Sequence, residues 1–121
     1  MKINAAIIGT GIGIKHLEAI EGYKKSKVLM ICEKDKKKFL ELKKKYPKIQ
    51  ITNDENKIFS NNKINLVSIA SFDNFHFSQI VKSIKSNKNV IVEKPMCLRE
   101  SQLIKIVSLM KKKKILKLLP I

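Results

Sequence analysis

Residues 3–14 read INAAIIGTGIGI, a short apolar run followed at once by a cluster of glycines. The apolar part, residues 3–8, predicts a buried strand, and a helical period follows over residues 12–23. In this context Gly9 permits a tight turn, and Gly11 lets the backbone approach a pyrophosphate. The helix that follows presents free N–H groups and the positive end of its dipole to the phosphates. The stretch therefore predicts a dinucleotide-binding turn.

The third glycine of this turn departs from the usual spacing. Dinucleotide-binding turns place it at the position of Ile14, whereas this chain has Gly13. We expect a loop one residue shorter and a helix packed differently on the strand. The candidate pyrophosphate-binding residues are Gly9, Thr10, Gly11, Ile12 and Gly13. A glycine turn of an α/β domain that binds no ligand is the alternative.

The rest of the chain alternates short apolar runs with stretches of helical period. The further strand candidates are residues 28–32, 49–51, 65–70 and 90–92. The further helix candidates are residues 36–46, 55–59, 75–86 and 99–112. The runs are continuously apolar, as strands covered on both faces are. The fold class is therefore α/β, a Rossmann-type doubly wound parallel sheet of about five strands in the order 3-2-1-4-5, with helices on both faces.

Helix ends and helix faces follow from single residues. Pro47 ends the second helix, and Asp54 is placed to cap the third. Apolar residues at three- to four-residue spacing predict one buried face on each of the last two helices. The predicted buried residues are Phe75, Ile80, Val81 and Ile84 in the fourth helix and Leu103, Ile104, Val107 and Met110 in the fifth.

A carboxylate stands where a dinucleotide site needs an acceptor for the adenosine ribose. Glu33 follows the second strand directly, twenty residues beyond Gly13. A carboxylate accepts both ribose hydroxyls and repels a 2′-phosphate, so the expected cofactor is NAD. Lys34 and the lysines after it weaken that preference, and NADP stays possible. A surface glutamate in a charged loop is the alternative interpretation.

An ionisable pair closes the fifth strand. Glu93 and Lys94 precede Pro95, directly after the apolar run. The carboxyl ends of parallel strands face the crevice where open α/β sheets bind ligands. There Lys94 can polarise a carbonyl or an alkoxide beside the nicotinamide, and Glu93 can hold Lys94 by hydrogen bonding. The alternative is a strand-end ion pair before a turn.

The strongly basic charge has two explanations. The 121 residues carry 26 Lys and Arg against 10 Asp and Glu, a net charge of +16. A polyanion partner would explain the excess, but nucleic-acid sites favour arginine, and Arg99 is the only one in the chain. We favour a solvated lysine-rich surface and keep a nucleic-acid-binding protein as a weaker alternative, which predicts affinity that falls steeply with salt.

The two cysteines and the apolar segments bear on the compartment. Cys32 and Cys97 show no spacing of a disulfide framework, so we expect free thiols that pack in the fold. The apolar start, residues 3–14, is too short to span a bilayer and lacks a cleavage site. These features predict a cytoplasmic protein that binds no metal and no membrane.

Several of these motifs together resemble one family. Residues 6–11, His16, residues 67–71 with His76 beyond them, and the Glu-Lys-Pro motif ending at Pro95 resemble the Gfo/Idh/MocA family over nearly all of residues 2–110. The resemblance implies an NAD(P)-dependent oxidoreductase of sugars, inositols and related polyols.

The resemblance also implies roles for single residues. Lys94 would act in catalysis next to the nicotinamide, with Glu93 beside it, and the stretch from Ser71 to His76 would lie along the cofactor. Where the family commonly has Thr-Pro-Asn, this chain has Ser71-Phe72-Asp73, and the charge of Asp73 would lie near a pyrophosphate.

The family pattern continues beyond the length of this chain. Members carry a second α/β domain that forms the substrate pocket, and we expect that domain to be absent here. The expected division is a dinucleotide-binding domain over residues 1–110 and a basic tail over residues 111–121, a truncated or frameshifted start of a sixth strand. Such a chain would bind a sugar-like substrate only with a second domain supplied. A stand-alone nucleotide-binding or sensing module with a partner chain is the second hypothesis, and the oligomeric state is left open.

Overall fold

The computed structural model describes residues 2–121, in which six strands alternate with five helices. The strands are β1 (Ile3–Ile8), β2 (Ser26–Cys32), β3 (Gln50–Thr52), β4 (Leu66–Ile69), β5 (Asn89–Val92) and β6 (Leu118–Pro120). The helices are α1 (Gly13–Glu21), α2 (Lys36–Lys45), α3 (Asn56–Phe59), α4 (Asp73–Lys85) and α5 (Glu100–Lys112). No helix in this part of the chain is long and apolar enough to cross a lipid bilayer.

All strands join one parallel sheet in the order β3-β2-β1-β4-β5-β6. The order predicted for the first five strands is confirmed. The chain runs outward from β1 to β3, crosses back, and runs outward again from β4, which is the doubly wound arrangement. The glycine turn after β1 therefore lies at the point where the strand order reverses.

The core consists of two apolar clusters, one on each face of the sheet. Ala5 and Ile7 of β1 belong to one cluster together with residues of α1 and α2, whereas Ala6 and Ile8 belong to the other with residues of α4 and α5. Successive side chains of a strand point to opposite faces, so the two clusters cover both sides. This double burial explains why the strands read as continuous apolar runs.

The helix ends follow the predicted signals. The carboxylate of Asp54 accepts a hydrogen bond from the N–H of Asn56 at 3.0 Å, at the start of α3. Helix α2 ends at Lys45, two residues before Pro47. The side chain of Asp35 accepts from the N–H of Lys38 at 3.0 Å and caps α2, a cap that was not among the predicted helix ends.

The buried faces predicted for α4 and α5 are partly wrong. Phe75 is 42% exposed, because polar residues of α4, His76 and Gln79 among them, take the inward positions and are hydrogen-bonded there. In α5 the buried residue is Ile106, whereas Ile104 is 62% exposed. The exposed apolar residues of α5 are Leu103, Ile104 and Val107. The helix is turned so that the side carrying Ile106 faces the core.

The last residues of the chain add a strand to the edge of the sheet. Helix α5 continues to Lys112, and β6 then pairs with β5, with Leu118 opposite Val90. The side chain of Asn89 accepts from the N–H of Lys117 at 2.8 Å and holds the approach to β6. Residues 118–120 are thus part of the same sheet, as its sixth strand.

A buried lysine lies at the amino end of β5, away from the glycine turn. Lys88 is 2% exposed, and its Nζ donates to the carbonyl oxygens of Asn61 at 2.7 Å and Ile64 at 2.9 Å. Burial lowers the pKa of the Lys88 ammonium below its ordinary value. Through these two hydrogen bonds the ammonium holds the loop between α3 and β4 against the start of β5.

Candidate functional site

The carboxyl ends of four neighbouring strands lie in register. Strand pairing aligns Ile8 with Cys32 on one side and with Ile69 on the other, and Ile69 with Val92. The residues that follow these strand ends are Gly9, Glu33, Ala70 and Glu93. Because neighbouring strands lie about 4.8 Å apart, the row from Glu33 to Glu93 extends over about 14 Å. The residues predicted at three separate strand ends are therefore neighbours along one edge.

A cavity of about 250 Å³ opens at this edge beside the glycine turn. Its wall combines the turn with the end of β2, the loop after β4 and the start of α4. The residues that line it include Gly9, Thr10, Gly11, Cys32, Glu33 and Ser71. Glu93 and Lys94 do not line the cavity and lie further along the edge.

Gly9 and Gly11 meet the predicted demands of the turn in different ways. Gly9 has a φ of +87°, and a Cβ there would lie 2.6 Å from the carbonyl oxygen of Ala70. Only glycine adopts this conformation at such a close approach without strain. A Cβ on Gly11 would meet no atom within 4 Å. Gly11 therefore leaves the backbone open beside the cavity, with room for a pyrophosphate to approach it.

Gly13 performs the packing role of the third glycine despite its different spacing. A Cβ there would lie 3.0 Å from Cγ2 of Ile7 and 3.3 Å from Cβ of Ala70. The absence of a side chain lets the first turn of α1 pack closely against the strands. The N-cap of this helix is Ile12, whose side chain makes no capping hydrogen bond. The first N–H groups of α1 are thus left without a side-chain acceptor.

Glu33 is held at the cavity by hydrogen bonds from two sides. Its Oε1 accepts from the hydroxyl of Thr10 in the glycine turn. Its Oε2 accepts from the N–H of Asp35 at 3.0 Å. Each carboxylate oxygen has two lone pairs, so both retain capacity for a ribose hydroxyl. Thr10 thereby connects the glycine turn to the candidate ribose acceptor, Glu33.

The thiol of Cys32 contributes a neutral wall to the cavity. Burial, assisted by the nearby carboxylate of Glu55, raises the pKa of Cys32 from 9.0 to about 11. The thiol is therefore protonated at neutral pH and is a poor nucleophile. Both cysteines are free, which agrees with the expectation of unpaired thiols; Cys97 is half-buried.

Cationic and aromatic side chains border the outer side of the cavity. Lys34 and Lys38 line it, and the Nζ of Lys34 lies 5.6 Å from the centre of the Phe75 ring. Phe72 is 81% exposed beside them. The charges next to Glu33 are thus of both signs, and Phe75 offers an apolar surface at the mouth of the cavity rather than in the core.

His76 is a buried residue that connects two loops of the site. It is 1% exposed; its Nε2 lies 2.9 Å from the carbonyl oxygen of Ser71 and its Nδ1 lies 2.7 Å from that of Pro95. The sequence predicts His76 among the cofactor-binding residues. In the structure its ring is enclosed, with both nitrogens occupied by backbone oxygens, and it joins the loops after β4 and β5. Ser71 itself lines the cavity.

Glu93 pairs with His16 instead of Lys94. The Oε1 of Glu93 lies 2.8 Å from the Nε2 of His16, a residue of the first turns of α1. The expected hydrogen bond from Lys94 to Glu93 is not formed. Lys94 is exposed, and its ammonium has no hydrogen bond or ion pair with any of residues 2–121. The two residues predicted as a pair therefore have separate surroundings.

One family model matches nearly the whole of this chain, including the residues that follow the strand ends. The model of the oxidoreductase family with an NAD-binding Rossmann fold, named Gfo/Idh/MocA, matches residues 3–118. The chain belongs to the Gfo/Idh/MocA oxidoreductase family. The match covers β1 to the start of β6, so the described sheet is the family's NAD-binding domain.

Known proteins similar to this Gfo/Idh/MocA chain extend well beyond it. An uncharacterized oxidoreductase of Synechocystis sp. is 27% identical over 114 residues, which are 93% of this chain and 31% of that protein. This chain therefore spans about a third of the length of that relative.

Solved structures show the same fold. A scyllo-inositol dehydrogenase from Lactobacillus casei with bound NAD(H) and scyllo-inositol superposes with a TM-score of 0.88 at 23% identity, over 99% of this chain and 36% of that one. A Synechocystis biliverdin reductase with biliverdin and NADP⁺ gives a TM-score of 0.89 at 19% identity, over 97% of this chain and 37% of that one. The Rossmann domain of this Gfo/Idh/MocA chain is thus shared by proteins that differ in substrate.

Proposed function

We propose that this chain holds the cofactor of an NAD-dependent oxidoreductase that transfers a hydride between the nicotinamide and a hydroxyl-bearing carbon of a sugar- or polyol-like substrate. The observation that supports this proposal most is that Glu33, Gly9 and Glu93 follow aligned strand ends along the carboxyl edge of one sheet. Open α/β sheets bind dinucleotides across this edge at the reversal of strand order.

In this proposal each half of the cofactor lies over one half of the sheet, and the reversal of strand order beside β1 supports that division. Glu33, at the end of β2, would accept the hydroxyls of the adenosine ribose. Gly11 and the N–H groups of Ile12 and Gly13, at the start of α1, would receive the pyrophosphate. The nicotinamide would then lie over β4 and β5, toward Ser71 and Lys94. NAD supplies an acceptor or donor of hydride at this end when it is bound.

Lys94 would serve the oxygen atom of the substrate. As a hydride leaves the carbon of an alcohol, the attached oxygen must lose its proton and gains negative charge. The free ammonium of Lys94 can donate a hydrogen bond to that oxygen, and its amine form can take up the proton. In the reverse direction the ammonium returns the proton to the new alkoxide. The exposure of Lys94 and its lack of a partner among residues 2–121 support this role.

The chain by itself would bind the cofactor without turnover. Every element of residues 2–121 belongs to the Rossmann sheet or its helices, and the relatives are about three times longer. Hydride transfer requires a substrate carbon held close to the nicotinamide, and most of the rate depends on that positioning. Rapid oxidation of scyllo-inositol or another polyol by the purified chain would contradict this proposal.

Calorimetric titration tests the cofactor assignment. The chain should bind NAD⁺, and Glu33→Gln should weaken NAD⁺ binding by about tenfold while changing NADP⁺ binding less, because the ribose acceptor and the repelling charge are removed together. Glu100→Gln, an exposed carboxylate on α5, is the matched control and should bind as the wild type does. Equal loss in both variants, or no binding of either dinucleotide by the wild type, would refute the assignment.

A second candidate is a nucleotide-binding module that works with a separate chain. The exposed apolar face of α5 favours it, since Ile104 and Val107 are 62% and 44% exposed. A partner would cover such a face. This candidate requires a neighbouring gene for a substrate domain without a glycine turn of its own. Absence of any such gene would rule it out.

A further inference from the structure

A histidine is enclosed between the glycine turn and the end of β5. His16 lies on α1, three residues after Gly13, and is 9% exposed. Its Nδ1 lies 2.5 Å from the hydroxyl oxygen of Ser68, a fully buried residue of β4. Its Nε2 lies 2.8 Å from the Oε1 of Glu93. One ring therefore connects α1, the helix after the glycine turn, to β4 and to the residue that follows β5.

Ser68 and Glu93, the two hydrogen-bond partners of His16, determine which ring nitrogen carries the hydrogen. An ionised carboxylate can only accept hydrogen bonds. Nε2 of His16 therefore carries the hydrogen and donates a hydrogen bond to Oε1 of Glu93. Nδ1 is then free to accept from the hydroxyl of Ser68. A neutral imidazole satisfies both contacts at once. The orientation of the ring is thus determined by Ser68, and that of the Glu93 carboxylate by the ring.

The contact leaves one oxygen of Glu93 available. Oε1 is occupied by His16, while Oε2 has no hydrogen-bond partner in the described part of the chain. The Glu93 side chain is 22% exposed. A carboxylate with one oxygen anchored and one oxygen free presents a negative charge at a defined place along the carboxyl edge.

We propose that His16 is a positioning residue that fixes the Glu93 carboxylate toward the nicotinamide half of the bound dinucleotide. The inference rests on the proposed function, which assigns that half to β4 and β5. The oxidised nicotinamide ring carries a positive charge, and a fixed carboxylate near it favours that charged form. Through α1, His16 also ties this end of the site to the turn that receives the pyrophosphate.

Two isosteric substitutions separate the two contacts of the ring. His16→Gln places an amide N–H close to the position of Nε2 and keeps the contact with Glu93. His16→Asn reaches only as far as the Nδ1 position and keeps the contact with Ser68. Ile20→Ala, a buried residue of the same helix without polar contacts, is the control for a general loosening of α1.

Calorimetric titration with NAD⁺ and with ADP-ribose provides the readout, because ADP-ribose lacks the nicotinamide. We expect His16→Asn to weaken NAD⁺ binding by fivefold to tenfold and ADP-ribose binding by less than twofold. His16→Gln should bind both ligands within twofold of the wild type. Ile20→Ala should leave the ratio of the two affinities unchanged. Glu93→Gln should reproduce the loss seen in His16→Asn, and the double variant should lose no more than either single one.

The outcomes separate this proposal from the one it rests on. Equal losses of NAD⁺ and ADP-ribose affinity in His16→Asn, or an unchanged NAD⁺ affinity, would overturn the positioning role while leaving the cofactor site intact. A wild-type chain that binds neither ligand would overturn the proposed function, and this inference with it.

Discussion

Gly9 and Gly11 stand two residues apart in one turn and face different neighbours. At Gly9 a methyl group would meet the backbone of Ala70, and the positive φ adds strain. We predict that Gly9→Ala lowers the free energy of unfolding by at least about 2 kcal/mol. Gly11→Ala should fold with a stability between that of the wild type and about 1 kcal/mol above it, because alanine restricts the unfolded chain. Urea unfolding measures both.

The same pair distinguishes folding from binding. Gly11→Ala should weaken NAD⁺ binding at least tenfold, because the methyl group fills the space that the pyrophosphate approaches. A variant that binds as tightly as the wild type would show that the cofactor follows another path across the edge.

We predict that the buried thiol of Cys32 makes the free energy of unfolding fall at alkaline pH. Because burial raises its pKa to about 11 from 9.0, the folded chain keeps a proton that the unfolded chain loses between these values. Stability is therefore fully present below pH 9 and falls as the pH rises to about 11, by about 3 kcal/mol. Urea unfolding of wild type and Cys32→Ala at pH 8 and 10.5 should show a difference that shrinks with pH.

Comparing the two proteins isolates the thiol from Lys88. The lowered pKa of Lys88 acts in the opposite direction, since the unfolded chain then binds more protons and stability rises with pH. That contribution is common to both proteins and cancels in the difference. A difference that stays constant from pH 8 to 10.5 would contradict the proposed burial of the thiol proton.

Local spacing predicts single residues of the site better than it predicts their contacts. The glycine turn and Glu33 lie where the sequence indicated, because each directly follows a strand and inherits its place from the sheet. The partners of His16 lie 52 and 77 residues away along the chain. No local pattern carries such a contact, so Glu93 was assigned to its neighbour Lys94. The histidine at the start of α1, in the motif that carried the family resemblance, was the available signal.

Helix α5 offers a test at the level of an element. Ile106 is 1% exposed and Ile104 is 62% exposed. Ile106→Ala should cost about 2–4 kcal/mol of unfolding free energy, because it leaves a cavity between α5 and the sheet. Ile104→Ala, the matched control, should change it by less than about 0.5 kcal/mol. Comparable losses from both would mean that a partner or another copy covers the outer face.

Strands were predicted more accurately than helix faces for a physical reason. A strand buried on both faces is apolar throughout, so its position is visible without knowing its orientation. An amphipathic helix with apolar residues on most sides, such as α5, has several possible buried faces. Ile106 and Ile104 fit helical spacing equally well. Only packing against α4 and the sheet decides between them.

At the level of the whole molecule, ligand binding should distinguish the function classes. A ligand that binds only the folded chain stabilises it by about 2.7 kcal/mol at a hundred times its dissociation constant. We predict that NAD⁺ does so in thermal unfolding, whereas a single-stranded oligonucleotide at physiological salt does not, despite the net charge of +16. Stabilisation by the oligonucleotide that disappears with added salt, without an effect of NAD⁺, would favour the polyanion interpretation.

The central place of β1 in the sheet also bears on how the chain is made. Strand β1 leaves the ribosome before the other five strands, and β2 can pair with it after about two dozen residues. The other edge of β1 stays unpaired until β4, some sixty residues later, has emerged. During that interval the nascent chain exposes an apolar strand edge to its neighbours. Synthesis speed and chaperone supply should therefore control the soluble yield of this protein before its final stability does.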